Sequence, residues 1–277
     1  MTGTFSKFKS DQIPAYLLAL LLIVSLLAPV LPLQDPLLMD TASRFAGPSA
    51  QHLFGQDEFG RDILVRLIFA IRNSLIVAFA AAVLAGIVGT ALGVLAGYSR
   101  GLTEMLAMRF IDIVLCFPPL LLAMLAVTLY GPGPVTLIPV LAIVFVPSFT
   151  RVAHASVLSV RSQDYVEAVR SMGASNARVM FSTILPNIAG PLIVQFSFTV
   201  AVTVVLESGL SFLGLGVLPP APSLGLMIGT GRATLAQAPM LLVWPCAALT
   251  AMILILNAFC DDLRDRLDPK SSKIRGQ

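Results

Sequence analysis

Charge is what this sequence has least of. Asp, Glu, Lys and Arg make up 12% of its 277 residues, about half the share of an ordinary soluble domain. Cysteine, histidine and tryptophan are also sparse, at three, two and one. Cys116, Cys246 and Cys260 lie in or beside apolar runs, with no C-x-x-C pair and no nearby histidine. They are expected to be small buried hydrophobes rather than a disulfide framework or zinc ligands. His52 and His154 are too far apart for a shared metal site, and no Ser/His/Asp triad is indicated. No catalytic residue, metal site or bound cofactor is expected. There is no G-x-x-x-x-G-K-[ST] phosphate loop either, so if the chain moved a solute uphill, the energy would have to come from another protein. A net charge of +3 is too small to suggest a nucleic-acid partner.

Long apolar runs take the place of charge. Hydrophobic residues make up 57% of the chain, and mean hydropathy is +0.89. Six runs stand out: 14–33, 75–98, 110–130, 135–149, 188–210 and 241–259. Most approach the roughly 20 residues that cross a hydrocarbon core as a helix. Helix is the expected form, because lipid leaves no water for unpaired backbone groups. The first run is long for a signal peptide and lacks an A-x-A ending, so it reads as an uncleaved span. The fourth is short, and Pro139 and Pro147 interrupt it. Basic residues concentrate in the segments that are cytoplasmic when both termini are inside, which favours that orientation. The expected organisation is a cytoplasmic tail (1–13), a first span (14–33), an outer loop (34–74), a five-helix core (75–260) and a second tail (261–277). Within the outer loop, Phe59–Asn73 mixes apolar and basic residues and reads as an interfacial helix.

The spans carry little polar chemistry. Gly89, Gly93 and Gly97 form a small-residue stripe that lets another helix approach closely. Asp112 lies one turn from Arg109, a structural ion pair. Glu207, with Ser211 and Phe212 close by, reads either as a hydrogen-bonded tie between helices or as part of a substrate gate at the outer mouth. No relay of Asp, Glu and His runs through the spans, which argues against an ion-coupled secondary transporter. A membrane anchor without a pathway is the third reading.

The polar stretch between the fourth and fifth runs (151–187) is more informative. Tyr165, Val169 and Met172 recur at helical spacing and define one apolar face. Gly173 supplies a stop, Ser175 can cap a second short helix from Asn176 to about Thr183, and Pro186 suits the first turn of the next span. The result is a compact helix-turn-helix knob whose apolar face can dock in a groove on a soluble partner.

This stretch resembles the EAA loop of ABC-importer permeases, E-A-A, three residues, Gly, then I/L-L-P. Glu167, Ala168, Gly173, Ile184, Leu185 and Pro186 match, and Val169 replaces the second Ala. Tyr165, Met172 and Ala174 belong to the same loop. Thr183 stands where close relatives often have His. His52 to Asp62, with Gly55, Asp57, Gly60, Arg61 and Asp62, is similar to an outer-loop signature of the C-type permeases of dipeptide, oligopeptide and nickel importers; Gln56 departs from its usual Thr. Glu207 to Gly216 and the tail around Asp261–Pro269 are similar to segments of the same group. The resemblance implies an all-α, six-span type I permease with a coupling helix in the bacterial plasma membrane. It implies a homologous B-type permease partner, two ATPase subunits that hold ATP and Mg, and a substrate-binding protein. A peptide is the expected solute, with nickel or another peptide-like solute as the alternative.

Overall fold

The computed structural model describes residues 13–99 and 101–267. The basic residues expected to mark the two tails (Lys7, Lys9, Lys270, Lys273 and Arg275), together with Arg100, lie outside them. The described residues are helical apart from turns and one isolated bridge between Gln56 and Asp62.

The first run forms α1 (Ile13–Leu27). Its 15 residues span about 22 Å at the helical rise, short of the ~30 Å hydrocarbon core. The second run is part of α2 (Ile63–Ser99), one unbroken helix of 37 residues. The interfacial helix expected over Phe59–Asn73 is therefore the first turns of this long helix rather than a separate element. Nothing in Ile63–Ala85 breaks it, since the segment has no proline or glycine. Its basic side chain Arg66 is buried against residues 34–62, where Nη1 donates to the Pro36 carbonyl at 3.2 Å and Nε pairs with Asp57 at 3.4 Å.

The third run breaks into α3 (Leu102–Leu115) and α4 (Pro119–Tyr130), bent by 84°. Two successive prolines explain the break. Pro118 removes a donor and pushes Phe117 out of helical conformation, while Pro119 fits the first turn of α4. Cys116, expected to be buried, is exposed at this corner. The fourth run corrects the expectation in the other direction. α5 (Pro134–Arg161) is continuous over 28 residues and passes through Pro139 and Pro147. Isolated prolines are tolerated in membrane helices where neighbouring helices pack against them.

Beyond α5 come the short helix α6 (Asp164–Ser171), α7 (Asn176–Arg178), a π turn (Val179–Ile184) and α8 (Leu185–Asn187). Then follow the fifth run as α9 (Ala189–Phe212), the short α10 (Leu224–Ala233) and α11 (Met240–Leu267). α11 extends past the expected end at Phe259, so Asp261–Leu267 is helical rather than a tail.

α2 and α5 form the spine of the molecule, and the glycine stripe is what joins them. A Cβ on Gly89 would lie 2.7 Å from the Val146 carbonyl oxygen, and one on Gly93 2.5 Å from that of Thr150. Only glycine permits that approach. Aliphatic clusters fill the space around the spine. One joins α1, α2, α9, α10 and α11; two more pack α3, α4 and α9 against α2 and α5.

Among the described residues, α2, α5, α9 and α11 are long and apolar enough to cross a membrane. The bent α3–α4 pair makes a fifth span if it is counted as one.

Candidate functional site

The knob between α5 and α9 is built as its turn residues demand. α6 ends at Gly173, whose φ is +82°. The Gly173 amide donates to Arg170 O at 2.9 Å and the Ala174 amide to Val169 O at 3.4 Å, satisfying two carbonyls at the helix end. Ser175 Oγ accepts from the Arg178 amide at 3.4 Å. The second helix, expected to be regular from Asn176 to about Thr183, gives way after Arg178 to the π turn, and Pro186 lies in α8.

The face of α6 that seats it is not the expected one. Val166, fully buried, inserts among Val94, Tyr98, Val157, Val179, Ile184 and Ile188. Val169 and Ala174 pack beside it, half-buried. Tyr165 is 44% exposed and Met172 78% exposed, and Glu167 and Ala168 are also open. The spacing 165, 169, 172 therefore straddles the edge of the seat and misses the anchoring residue, Val166. The spacing of three between Val166 and Val169 is the signal that points to it. The expected loop 151–187 also starts too early, because its first eleven residues complete α5. A polar cleft lined by Arg161, Ser162, Gln163, Glu167 and Arg170 opens between the end of α5 and α6.

On the other side, residues 34–62 fold into a cap. Gly55 and Gly60 both have positive φ, +80° and +73°. The Asp57 carboxylate accepts from the amides of Phe59 (2.8 Å) and Arg61 (3.0 Å) and pairs with Arg61 Nε at 2.7 Å. Asp62 Oδ1 accepts from the Val65 amide at 2.8 Å, which caps α2, and Oδ2 meets His52 Nδ1 at 2.8 Å. Gln56 donates to the Gly60 carbonyl at 2.8 Å. The cap rests on α11 through Phe54, stacked on Trp244 with centroids 4.0 Å apart. All five signature residues, Gly55, Asp57, Gly60, Arg61 and Asp62, thus serve one folded unit.

Glu207 is fully buried in α9. Ser74 Oγ of α2 and Ser211 Oγ each donate to it at 2.7 Å. Ser211 Oγ in turn accepts from the Val217 amide at 3.2 Å, which fixes the chain after α9. Nearby, Asn73 Nδ2 donates to the Pro222 carbonyl at 2.8 Å. Of the three residues considered for a gate, only Phe212 reaches the surface of the chain; Glu207 and Ser211 tie α9 to α2 and to the segment that follows. Asp112 pairs not with Arg109 but with Arg151 of α5, at 2.8 Å. One turn of α5 further on, His154 Nε2 meets Glu104 Oε1 of α3 at 2.8 Å. Both pairs join α3 to α5, contacts that no spacing within one helix could reveal. Among the described residues, no group of three or more His, Cys, Asp or Glu could hold a metal ion.

Comparison with known proteins places this architecture. The chain is 38% identical to the dipeptide transport system permease protein DppC of Alkalihalophilus pseudofirmus, covering 90% of this chain and 82% of that protein. It is 39% identical to the di/tripeptide transport system permease protein DppC of Pseudomonas aeruginosa, covering 92% and 86%. Its fold is similar to a solved structure of the MetNI methionine ABC transporter, with a TM-score of 0.61 at 16% identity, over 74% of this chain and 98% of that one. Residues 89–273 match the family of binding-protein-dependent transport system inner membrane components. The chain belongs to that family, and it is a multi-pass permease subunit of the inner membrane.

Proposed function

We propose that this chain is one half of the transmembrane pathway of an ATP-driven peptide importer, and that α6 is the element seated in an ATPase subunit. In this reading the chain has six spans and both termini in the cytoplasm, with α1 and the α3–α4 pair as the first and third. A homologous B-type permease forms the other half of the pathway. Two ATPase subunits bind ATP and Mg and carry out hydrolysis, and this chain contributes no catalytic group or cofactor. A binding protein delivers the solute to the outer face. A peptide is the preferred solute because the dipeptide and di/tripeptide permeases above match nearly the whole chain.

The observation that carries the reading is the knob. Val166 roots α6 in the body, Gly173 turns the chain back, and Tyr165, Glu167, Ala168 and Met172 remain displayed. An apolar and acidic face on a rooted helix is suited to a partner's groove. Closure of the ATPase pair would then favour one arrangement of the two permease halves.

The test is reconstitution with the partner subunits. Gly173→Pro forces a positive φ onto a residue that cannot adopt it, and Glu167→Arg reverses the charge of the displayed face. Each is expected to abolish solute uptake linked to ATP hydrolysis. Wild-type linkage in either variant would remove α6 from the coupling role. Competition of uptake by a panel of small peptides and nickel chelates tests the solute; displacement by chelates alone would overturn the peptide assignment.

A further inference from the structure

The knob is joined covalently to α5 but not to α2. Only Ser162 and Gln163 separate the end of α5 from α6. A two-residue link and an aliphatic seat set no bond direction for α6, because apolar burial is non-directional. The directional contacts converge on one side chain, Tyr98, in the last turn of α2.

The Tyr98 ring is buried. The Arg170 guanidinium, at the end of α6, lies 4.7 Å from its centroid. The Tyr98 hydroxyl donates to Asn176 Oδ1, at the start of α7, at 2.8 Å. The ring belongs to the buried cluster that also holds Val157 of α5, Val166 of α6 and Val179 of the π turn. Arg161, the last residue of α5, donates to the carbonyls of Gly97 (3.1 Å) and Tyr98 (3.0 Å) and so secures the end of α2 beside it. A few residues away, Gly93 and Gly97 hold α2 against α5 with no room for a side chain. α2 and α5 are therefore closely packed at this end, and Tyr98 is where each limb of the knob makes a directional contact with them.

We propose that Tyr98 is a positioning residue for energy coupling: it fixes the angle of α6 on the α2–α5 pair, so that displacement of α6 by an ATPase subunit moves the spine instead of tilting the knob. This rests on the reading of α6 as the ATPase-seated element. The hydroxyl and the ring hold different limbs, α7 through Asn176 and α6 through Arg170. Cation–ring contacts weaken when either partner is removed.

The experiment uses the complete transporter in liposomes and measures the ratio of solute imported to ATP hydrolysed, with ATPase subunits retained per permease as the control for assembly. Tyr98→Leu is expected to retain the ATPase subunits and to lower the ratio roughly fivefold or more, in line with changes seen for residues that carry coupling. Tyr98→Phe keeps the ring, and Asn176→Asp keeps an acceptor for the hydroxyl; each is expected to stay above Tyr98→Leu. Arg170→Gln removes the cation and is expected to fall with Tyr98→Leu. If Tyr98→Leu fails to assemble, Arg170→Gln and Asn176→Leu decide, and a wild-type ratio in both overturns the proposal. A wild-type ratio in an assembled Tyr98→Leu transporter overturns it directly. Glu167→Arg separates the two readings. If that variant couples normally, α6 is not the seated element and the role of Tyr98 falls with it. If it uncouples while the Tyr98 and Arg170 variants remain normal, only the positioning role fails.

Discussion

The cap at residues 34–62 and the knob between α5 and α9 are both polar insertions between apolar runs, yet their interiors are made of opposite materials. The cap encloses charge. Asp57, Arg61, Asp62 and Arg66 are buried and pair with one another, with His52 or with backbone groups. The knob encloses aliphatic side chains, Val166, Val179, Ile184 and Ile188, and keeps its charged groups at the surface. Hydrogen-bonded charge is directional and strongly penalised when half of a pair is lost. Aliphatic packing carries no bond direction of its own. The difference teaches that the cap is built to hold one shape, whereas the knob holds its angle through the few directional contacts at Tyr98.

The sharpest way to break this comparison is Asp57→Ala, which removes the carboxylate shared by two buried guanidinium groups, Arg61 and Arg66. A loss of about 3–5 kcal/mol is expected, seen as a lower thermal midpoint of the purified protein and early proteolysis within residues 34–62. A loss under about 1 kcal/mol, the range of surface pairs, would end the contrast. Next in size is a glycine comparison. Gly60 and Gly173 share a positive φ, but a Cβ at Gly60 would overlap the Asp40 backbone while one at Gly173 meets open space. Gly173→Ala is expected to cost about 1–2 kcal/mol from backbone conformation alone, and Gly60→Ala distinctly more. Equal losses in chemical denaturation would show the cap to be as yielding as the knob. The smallest effect on stability belongs to Met172→Ala. Exposed as it is, it should alter stability by no more than about 0.5 kcal/mol. It should nevertheless weaken ATPase-subunit binding by about tenfold, as truncation of an interface anchor does. Unchanged binding in a titration of permease with ATPase subunit would remove Met172 from the docking face.

Much of the knob is legible in the sequence. The Gly173 turn and the Ser175 cap follow from local backbone preferences, and both are found. What spacing alone leaves open is orientation. Tyr165, Val169 and Met172 do share one side of α6, but the body lies under Val166, and the Val166–Val169 spacing that points there does not by itself outrank the longer Tyr165–Val169–Met172 pattern. Glu207 shows the same limit. Its hydroxyl partners Ser208 and Ser211 are local, whereas Ser74, which binds α9 to α2, is 133 residues away. The prolines mislead for a different reason. One proline within a long apolar helix can be accommodated by its neighbours, as at Pro139 and Pro147. Two in succession cannot, and Pro118–Pro119 breaks a run whose hydropathy is continuous.

By itself, then, the sequence determined that the chain is helical, apolar and threaded through a membrane, and where its polar turns fall. Those properties depend on composition and on the conformational limits of single residues. Only the tertiary structure decided that the glycine stripe faces α5, that Asp112 meets Arg151, that α2 runs unbroken from the cap to the knob, and that Tyr98 gathers both limbs of the knob. These depend on which side chains meet across helices, and residues far apart in the chain carry no local mark of one another.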